Sequence, residues 1–187
     1  MMQPRYARRA RAVMVFLVAA VCLPALVRAD AVTVGNPNWY QFAFGGPGSF
    51  GTNGSSTIPS SGGNSEPAPD VPWTFSSATP VQVNIADAYN KGDSFTLFNF
   101  GVLVGSTPGT AFADNEESDP AVTSADPSWS SGTFVVPAGN ASLTIRADAS
   151  PSSAGGAYFR LSPVPEPATA TALAAAGLLL ATRRRRA

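Results

Sequence analysis

Val81-Gln82-Val83-Asn84-Ile85 alternates three β-branched apolar residues with two amides, and that period of two decides the fold class. Successive side chains of a strand point to opposite faces, so Val81, Val83 and Ile85 share a face suited to a core while Gln82 and Asn84 share one suited to water. One dry face and one wet face is what an antiparallel sheet requires. Ser142-Leu143-Thr144-Ile145-Arg146 repeats the pattern with Leu143 and Ile145 inward. No amphipathic helical period interrupts it.

Outward from these two segments, short runs rich in Val, Ile, Thr, Phe, Trp and Tyr are separated by clusters of Gly, Pro, Asn, Asp and Ser. They predict eight strands, at about residues 38–44, 73–76, 81–85, 94–98, 102–105, 133–136, 142–147 and 157–161. Eight short strands in one domain's length of chain predict an all-β antiparallel β-sandwich over residues 30–162. The best-marked hairpin runs from Asp93 through Phe98, turns at Asn99-Phe100-Gly101 and returns along Val102-Leu103-Val104. Gly101 is the residue expected to take positive φ there, with Asn99 a second candidate.

Two long connections separate the strands. Residues 45–72 open with Gly45-Gly46-Pro47-Gly48 and continue Ser-, Gly-, Asn- and Pro-rich, a composition expected to need a partner before it orders. No Lys-Ser/Thr pair and no helix follow the glycines, so they are not a phosphate loop. Residues 108–131 gather Asp114, Glu116, Glu117, Asp119 and Asp126 with no compensating base. Asp114, Glu116, Glu117 and Asp119 are therefore candidate calcium ligands, since calcium takes oxygen donors and would relieve their repulsion. A solvated acidic loop is the plainer reading, and the spacing is not that of a helix-loop-helix calcium motif. Calcium is the one ion considered; no cofactor is expected.

The chain has twelve basic and twelve acidic residues, but the balance is uneven. Nine of the bases sit at the two ends. Between Asp30 and Pro165 only Lys91, Arg146 and Arg160 face eleven acids, a net charge of −8. Such a domain is not expected to bind nucleic acid, which needs Lys and Arg against phosphates. There is no histidine, and the one cysteine, Cys22, precedes the domain. Within the domain, His- or Cys-built zinc sites, Ser-His-Asp triads and Cys-His nucleophiles are thus excluded. A glycoside hydrolase would need two carboxylates fixed across a sugar. Asp87 and Asp93 flank a strand connection where Asp and Gly serve turns, and Lys91 between them is expected to keep both ionised. No enzyme activity is expected.

The ends carry addresses. Arg5, Arg8, Arg9 and Arg11 precede an apolar run from Ala12 to Val27, and Val27 and Ala29 suit the positions before a cut: residues 1–29 read as a signal peptide, implying the secretion machinery and signal peptidase. At the other end, residues 163–187 read Val164-Pro165-Glu166-Pro167, an apolar stretch from Ala168 to Ala181, then Arg183-Arg184-Arg185-Arg186. Fourteen helical residues rise only about 21 Å against a hydrocarbon core of roughly 30 Å, short for a stable anchor and suited to a transient transmembrane one. The arginines would stay cytoplasmic. Pro165, Glu166 and Pro167 with that helix and the Arg183 to Arg186 cluster closely resemble the PEP-CTERM sorting domain of exported proteins of Gram-negative bacteria. The resemblance implies a membrane enzyme, exosortase, as partner, transient anchoring, and a final place at the cell surface or outside the cell.

A second resemblance covers Val81 to Leu161. Ile85-Ala86-Asp87-Ala88-Tyr89, Gly92-Asp93-Ser94-Phe95, Phe98 to Gly101, Gly105-Ser106-Thr107, Gly132-Thr133-Phe134, Pro137-Ala138-Gly139 and Gly155-Gly156-Ala157-Tyr158-Phe159-Arg160 resemble a recurrent pattern in exported bacterial sandwich proteins with the same tail. It implies a jelly-roll-like domain without an assigned activity; where the pattern often has His, this chain has Asn140. Proteins with such tails tend to occur in exopolysaccharide-making bacteria, which implies a structural or adhesive role in a polysaccharide matrix. The alternative is a carbohydrate-binding module, for which Trp39, Tyr40, Trp73, Tyr89 and Trp129 are the candidates to stack on sugar rings. Each is also an ordinary core residue. A carboxylate-dependent hydrolase is the remote third reading.

Overall fold

A computed structural model describes residues 30–164. The expected signal peptide, residues 1–29, and the tail from Pro165 onward lie outside the described residues. Eleven strands and one short helix follow in order: β1 (Trp39–Phe44), β2 (Ser65–Pro67), β3 (Trp73–Ser77), β4 (Val81–Asp87), β5 (Tyr89–Lys91), β6 (Ser94–Asn99), β7 (Val102–Ser106), β8 (Ala113–Glu117), α1 (Pro120–Thr123), β9 (Ser131–Val136), β10 (Gly139–Ala149) and β11 (Gly155–Pro163). All eight expected strands are present. They form a five-stranded sheet in the order β2-β1-β11-β4-β9 and a four-stranded sheet in the order β3-β10-β6-β7, with β5 and β8 paired separately.

The alternation read from the sequence is the alternation that packs. Val81, Val83 and Ile85 are buried in one core with Phe42, Phe44, Phe159 and Leu161 of the same sheet and with Trp73, Phe95, Leu97, Leu143 and Ile145 of the other. Aromatic rings knit the layer: Trp73 lies 4.5 Å from Phe159 and 5.4 Å from Phe42 between ring centroids, and Phe44 meets Phe95 edge-on at 5.2 Å. The free edges of the sheets, β7 and β9, meet under Phe134. Its ring occupies the space where side chains at Gly105 and Gly132 would stand, 2.6 and 2.7 Å from their ideal Cβ positions.

The five-stranded sheet is dry on both faces at its centre. Trp39, Ala86, Ala88 and Tyr158 point away from the core and form a second cluster with Tyr89, roofed by the β5–β8 pair, α1 and the loop before β2.

Residues 45–72 are ordered by main-chain bonding, with Ala68 in the core and Val71 packed against it, which corrects the expectation that they need a partner. Gly48 and Gly51 donate to Ala147 and Ile145 carbonyls at 2.7 Å, and Ala147 donates back to Ser49 at 2.9 Å. Gly54 donates to Ala68, which donates to Gln41, seating β2 parallel to β1. Residues 108–131 likewise hold β8 and α1. At the hairpin, Asn99 pairs with Val102, and the two turn residues with positive φ are Phe100 (50°) and Gly101 (74°). Gly101 meets the expectation; Asn99 instead stays in the strand, its Oδ1 accepting the Ser142 N–H.

Candidate functional site

Four of the five candidate stacking aromatics are inside the protein. Trp73 and Tyr40 belong to the main core, and Trp39 and Trp129 are buried on the outer side of the five-stranded sheet. None of these four is open to a sugar: Trp73 and Tyr40 pack between the sheets, Trp39 packs in the second cluster, and Trp129 is 3 % exposed. Trp39 is covered by the Arg160 guanidinium, 4.6 Å above its ring, and Trp129 by Lys91 at 5.2 Å. Tyr89 differs. Half-buried at positive φ (67°), it walls a cleft of about 340 Å³ with Phe44, Thr57 and Ile58, over a floor of Gly155 and Gly156. Its hydroxyl is engaged, donating to the Ile58 carbonyl and taking the Gln41 amide. Tyr158 beneath it donates to the Ser118 carbonyl at 2.8 Å. Burial, then the neighbouring Tyr89, Asp119 and Glu117, push the Tyr158 phenol far above its ordinary range, so it serves as a neutral strut.

The acidic loop does not assemble the expected ligand set. Asp114, Glu116 and Glu117 lie on the irregularly paired strand Ala113–Glu117. Asp119 is spent as the N-cap of α1, its Oδ1 accepting from Ala121 and from Asn64 at 2.8 Å. Glu117 Oε1 accepts the Asp119 N–H at 2.8 Å. Asp114 and Glu116 are exposed. Among the described residues no three acidic, histidine or cysteine side chains gather where they could hold a metal. Asp126, with Glu116, Glu117 and Trp129, borders an open cleft, but Lys91 stands there as well, 4.0 Å from Asp126 and 2.6 Å from Ser128 Oγ.

Lys91 therefore does not stand between Asp87 and Asp93, contrary to expectation. Those two carboxylates are the groups that sequence reasoning undervalued. Asp87 is fully buried and Asp93 is 4 % exposed. Desolvation, then the charge of Asp93, raises Asp87 to about 8, and desolvation raises Asp93 to about 6. Burial also closes them to a substrate, so they are not the pair across a sugar that a hydrolase needs.

Of the domain's three bases, Lys91 meets Asp126 and Arg146 meets Asp148 at 2.7 Å. Arg160 has no carboxylate partner among the described residues, and its Nε finds no acceptor. It lines a polar cleft with Asn84, Ser124, Ser131 and Thr133.

The sandwich hands over directly to the tail. β11 stays paired with β4 up to Pro163 opposite Val81, and the Val164 N–H reaches the Pro80 carbonyl at 3.1 Å. A family model described as the PEP-CTERM protein-sorting motif matches residues 163–186. The chain carries a PEP-CTERM sorting motif. That motif implies export, processing by exosortase and sorting to the cell surface. Pro165, Glu166, Pro167 and Arg183 to Arg186 fall within the PEP-CTERM match. Among the described residues no helix is long and apolar enough to cross a membrane. No curated protein and no solved structure matches the chain.

Proposed function

We propose that this is a non-enzymatic, structural or adhesive protein of the cell surface or its surrounding matrix, delivered there by its PEP-CTERM tail. The observation that carries the reading is the motif at residues 163–186 joined without a spacer to a dry-cored β-sandwich. The domain has no histidine and no cysteine for the commoner catalytic centres. Its two perturbed carboxylates are buried, and Trp39, Tyr40, Trp73 and Trp129 are buried too. The strand order supports a jelly roll: apart from β2 and the β5–β8 pair, eight strands divide into β1-β11-β4-β9 and β3-β10-β6-β7, the two four-stranded sheets of that architecture.

A carbohydrate-binding module is the second reading, favoured by the Tyr89 cleft with its glycine floor, a shape that admits a flat apolar face. One experiment addresses both. The full chain and a Pro165→Ala/Glu166→Ala/Pro167→Ala variant are expressed in a bacterium that has an exosortase, and cell fractions are compared. The wild type is expected at the surface or in the medium, shortened by its tail; the variant is expected at full length in the inner membrane. Identical fractionation would sink the sorting assignment. The surface protein is then titrated with exopolysaccharides. Absence of saturable binding is expected of a structural protein, whereas a saturable isotherm lost in Tyr89→Ala selects the binding module.

A further inference from the structure

The connection from β4 to β6 closes over two acids that face no base. Asp87 ends β4 and Asp93 precedes β6; the end of β10 brings Ser150, also buried, beside Asp93. Asp87 Oδ1 accepts the Ala88 N–H at 2.8 Å, and the Gly92 and Asp93 amides also turn toward this carboxylate. Three oxygens remain without a partner: Asp87 Oδ2, Asp93 Oδ1 and Ser150 Oγ. Ser150 stands near enough to stabilise the Asp93 carboxylate yet outside hydrogen-bond geometry to it.

Buried polar atoms are normally satisfied, and buried charges are normally paired or bound to a metal. A shared proton would satisfy one oxygen of the carboxylates and leave the hydroxyl unused. A divalent cation would neutralise both charges and engage all three atoms. Every available donor is oxygen, which selects a hard cation and disfavours zinc or copper. Asp87 also has the division of labour that suits a cation ligand, one oxygen fixed by a main-chain N–H and the other free. The donors are two carboxylates and a hydroxyl brought together where β6 and β10 pair at Ser94 and Ala149; magnesium demands a strict octahedron, whereas calcium tolerates irregular coordination by carboxylates, hydroxyls, carbonyls and water.

We propose that Asp87, Asp93 and Ser150 form a site for one calcium ion that ties the β4–β6 connection to the end of β10. This does not depend on the role proposed above. It also reaches the cleft, because Gly155 of the cleft floor lies against Asp93, whose Oδ2 would be 3.1 Å from a Cβ there.

The test uses the full chain, purified in mild detergent, stripped with chelator and titrated with calcium chloride at pH 7.5 by calorimetry and thermal unfolding. One ion per chain is expected, with a midpoint several degrees higher when calcium is in excess. Asp93→Asn is expected to abolish the calcium response while raising the midpoint of the stripped protein, because it removes a buried carboxylate charge that no base offsets. A merely structural Asp93 would lower the stripped midpoint. Ser150→Ala is expected to weaken calcium binding about tenfold, and Glu116→Gln to leave it unchanged. No heat and no shift with calcium overturns the site, as does binding that survives Asp93→Asn or is lost in Glu116→Gln. Should Asp93→Asn fail to fold, Ser150→Ala decides: unaltered affinity there overturns the site.

Discussion

Gly54 occupies a place where no side chain fits. Its amide bonds Ala68 while the Ala68 amide bonds Gln41, so three backbones converge, and an ideal Cβ at Gly54 would stand 2.0 Å from the Gln41 oxygen and 2.7 Å from the Ala68 nitrogen. Those atoms are main chain and cannot step aside as a flexible side chain can. Gly54→Ala is therefore expected to cost about 3 kcal/mol, the upper range for overpacking, read as a lower denaturation midpoint. Gly109→Ala is the control, with nothing within 4 Å of its Cβ position and no positive φ; it should stay within about 0.5 kcal/mol of wild type. Equal effects would refute the close approach. The same scale explains why the acidic residues misled: Asp114, Glu116, Glu117 and Asp119 are near in sequence, but Asp119 caps α1, Glu117 accepts the Asp119 amide, and Asp114 and Glu116 stay in solvent. Asp87 and Asp93 look like turn residues, and only the fold, by laying Ser150 and Gly155 over them from some sixty residues away, makes them buried.

At the scale of elements, the β6–β7 hairpin carries a residue poorly suited to its place. A two-residue turn with positive φ at both positions favours Asn-Gly, yet Phe100 takes the first position, 64 % exposed. Left-handed backbone costs an ordinary side chain about 1 kcal/mol or more, and an exposed ring recovers little of it. Phe100→Asn is expected to stabilise the domain by about 0.5–1 kcal/mol in chemical denaturation, whereas Phe100→Val should destabilise it. An unchanged or lower stability for Phe100→Asn would mean the ring contributes more to packing beside Ser142 than its exposure suggests. The hairpin was legible because apolar alternation brackets Gly101, and β4 and β10 were legible for the same reason. β2, β5 and β8 were not: Ser65-Glu66-Pro67, Tyr89-Asn90-Lys91 and Ala113 to Glu117 have no apolar face of their own and are strands only because a neighbouring edge offers main-chain partners. The sorting tail was legible because it is a linear motif, read by a partner without reference to the fold.

For the molecule as a whole, stability should fall as pH rises through neutrality, opposite to the usual behaviour of carboxylates held by partners. Asp87 has an ordinary value near 4 in the unfolded chain and about 8 when folded, and Asp93 about 6. The one charged group bearing on Asp87 among the described residues is Asp93, beside the neutral Ala88, Gly92 and Asp93 amides; Lys91 is turned to Asp126. Between pH 4 and pH 8 the folded state thus binds more protons than the unfolded one, and stability has a negative slope. The contribution is fully present below pH 4 and lost as pH passes the folded values. Each extra proton held by the folded state is worth about 1.4 kcal/mol per pH step, so the loss from pH 5 to pH 8 in chelator is expected to reach a few kcal/mol. The net charge of −8 between Asp30 and Pro165 adds self-repulsion of the same sign, and salt separates the two. Half-molar sodium chloride screens surface charges over a few ångströms but does not enter a closed pocket, so most of the slope should survive it. Asp87→Asn should remove the fall between pH 6 and pH 8 and leave the salt-sensitive remainder. A slope that vanishes in salt, or that Asp87→Asn leaves intact, would assign it to the surface and not to the buried pair.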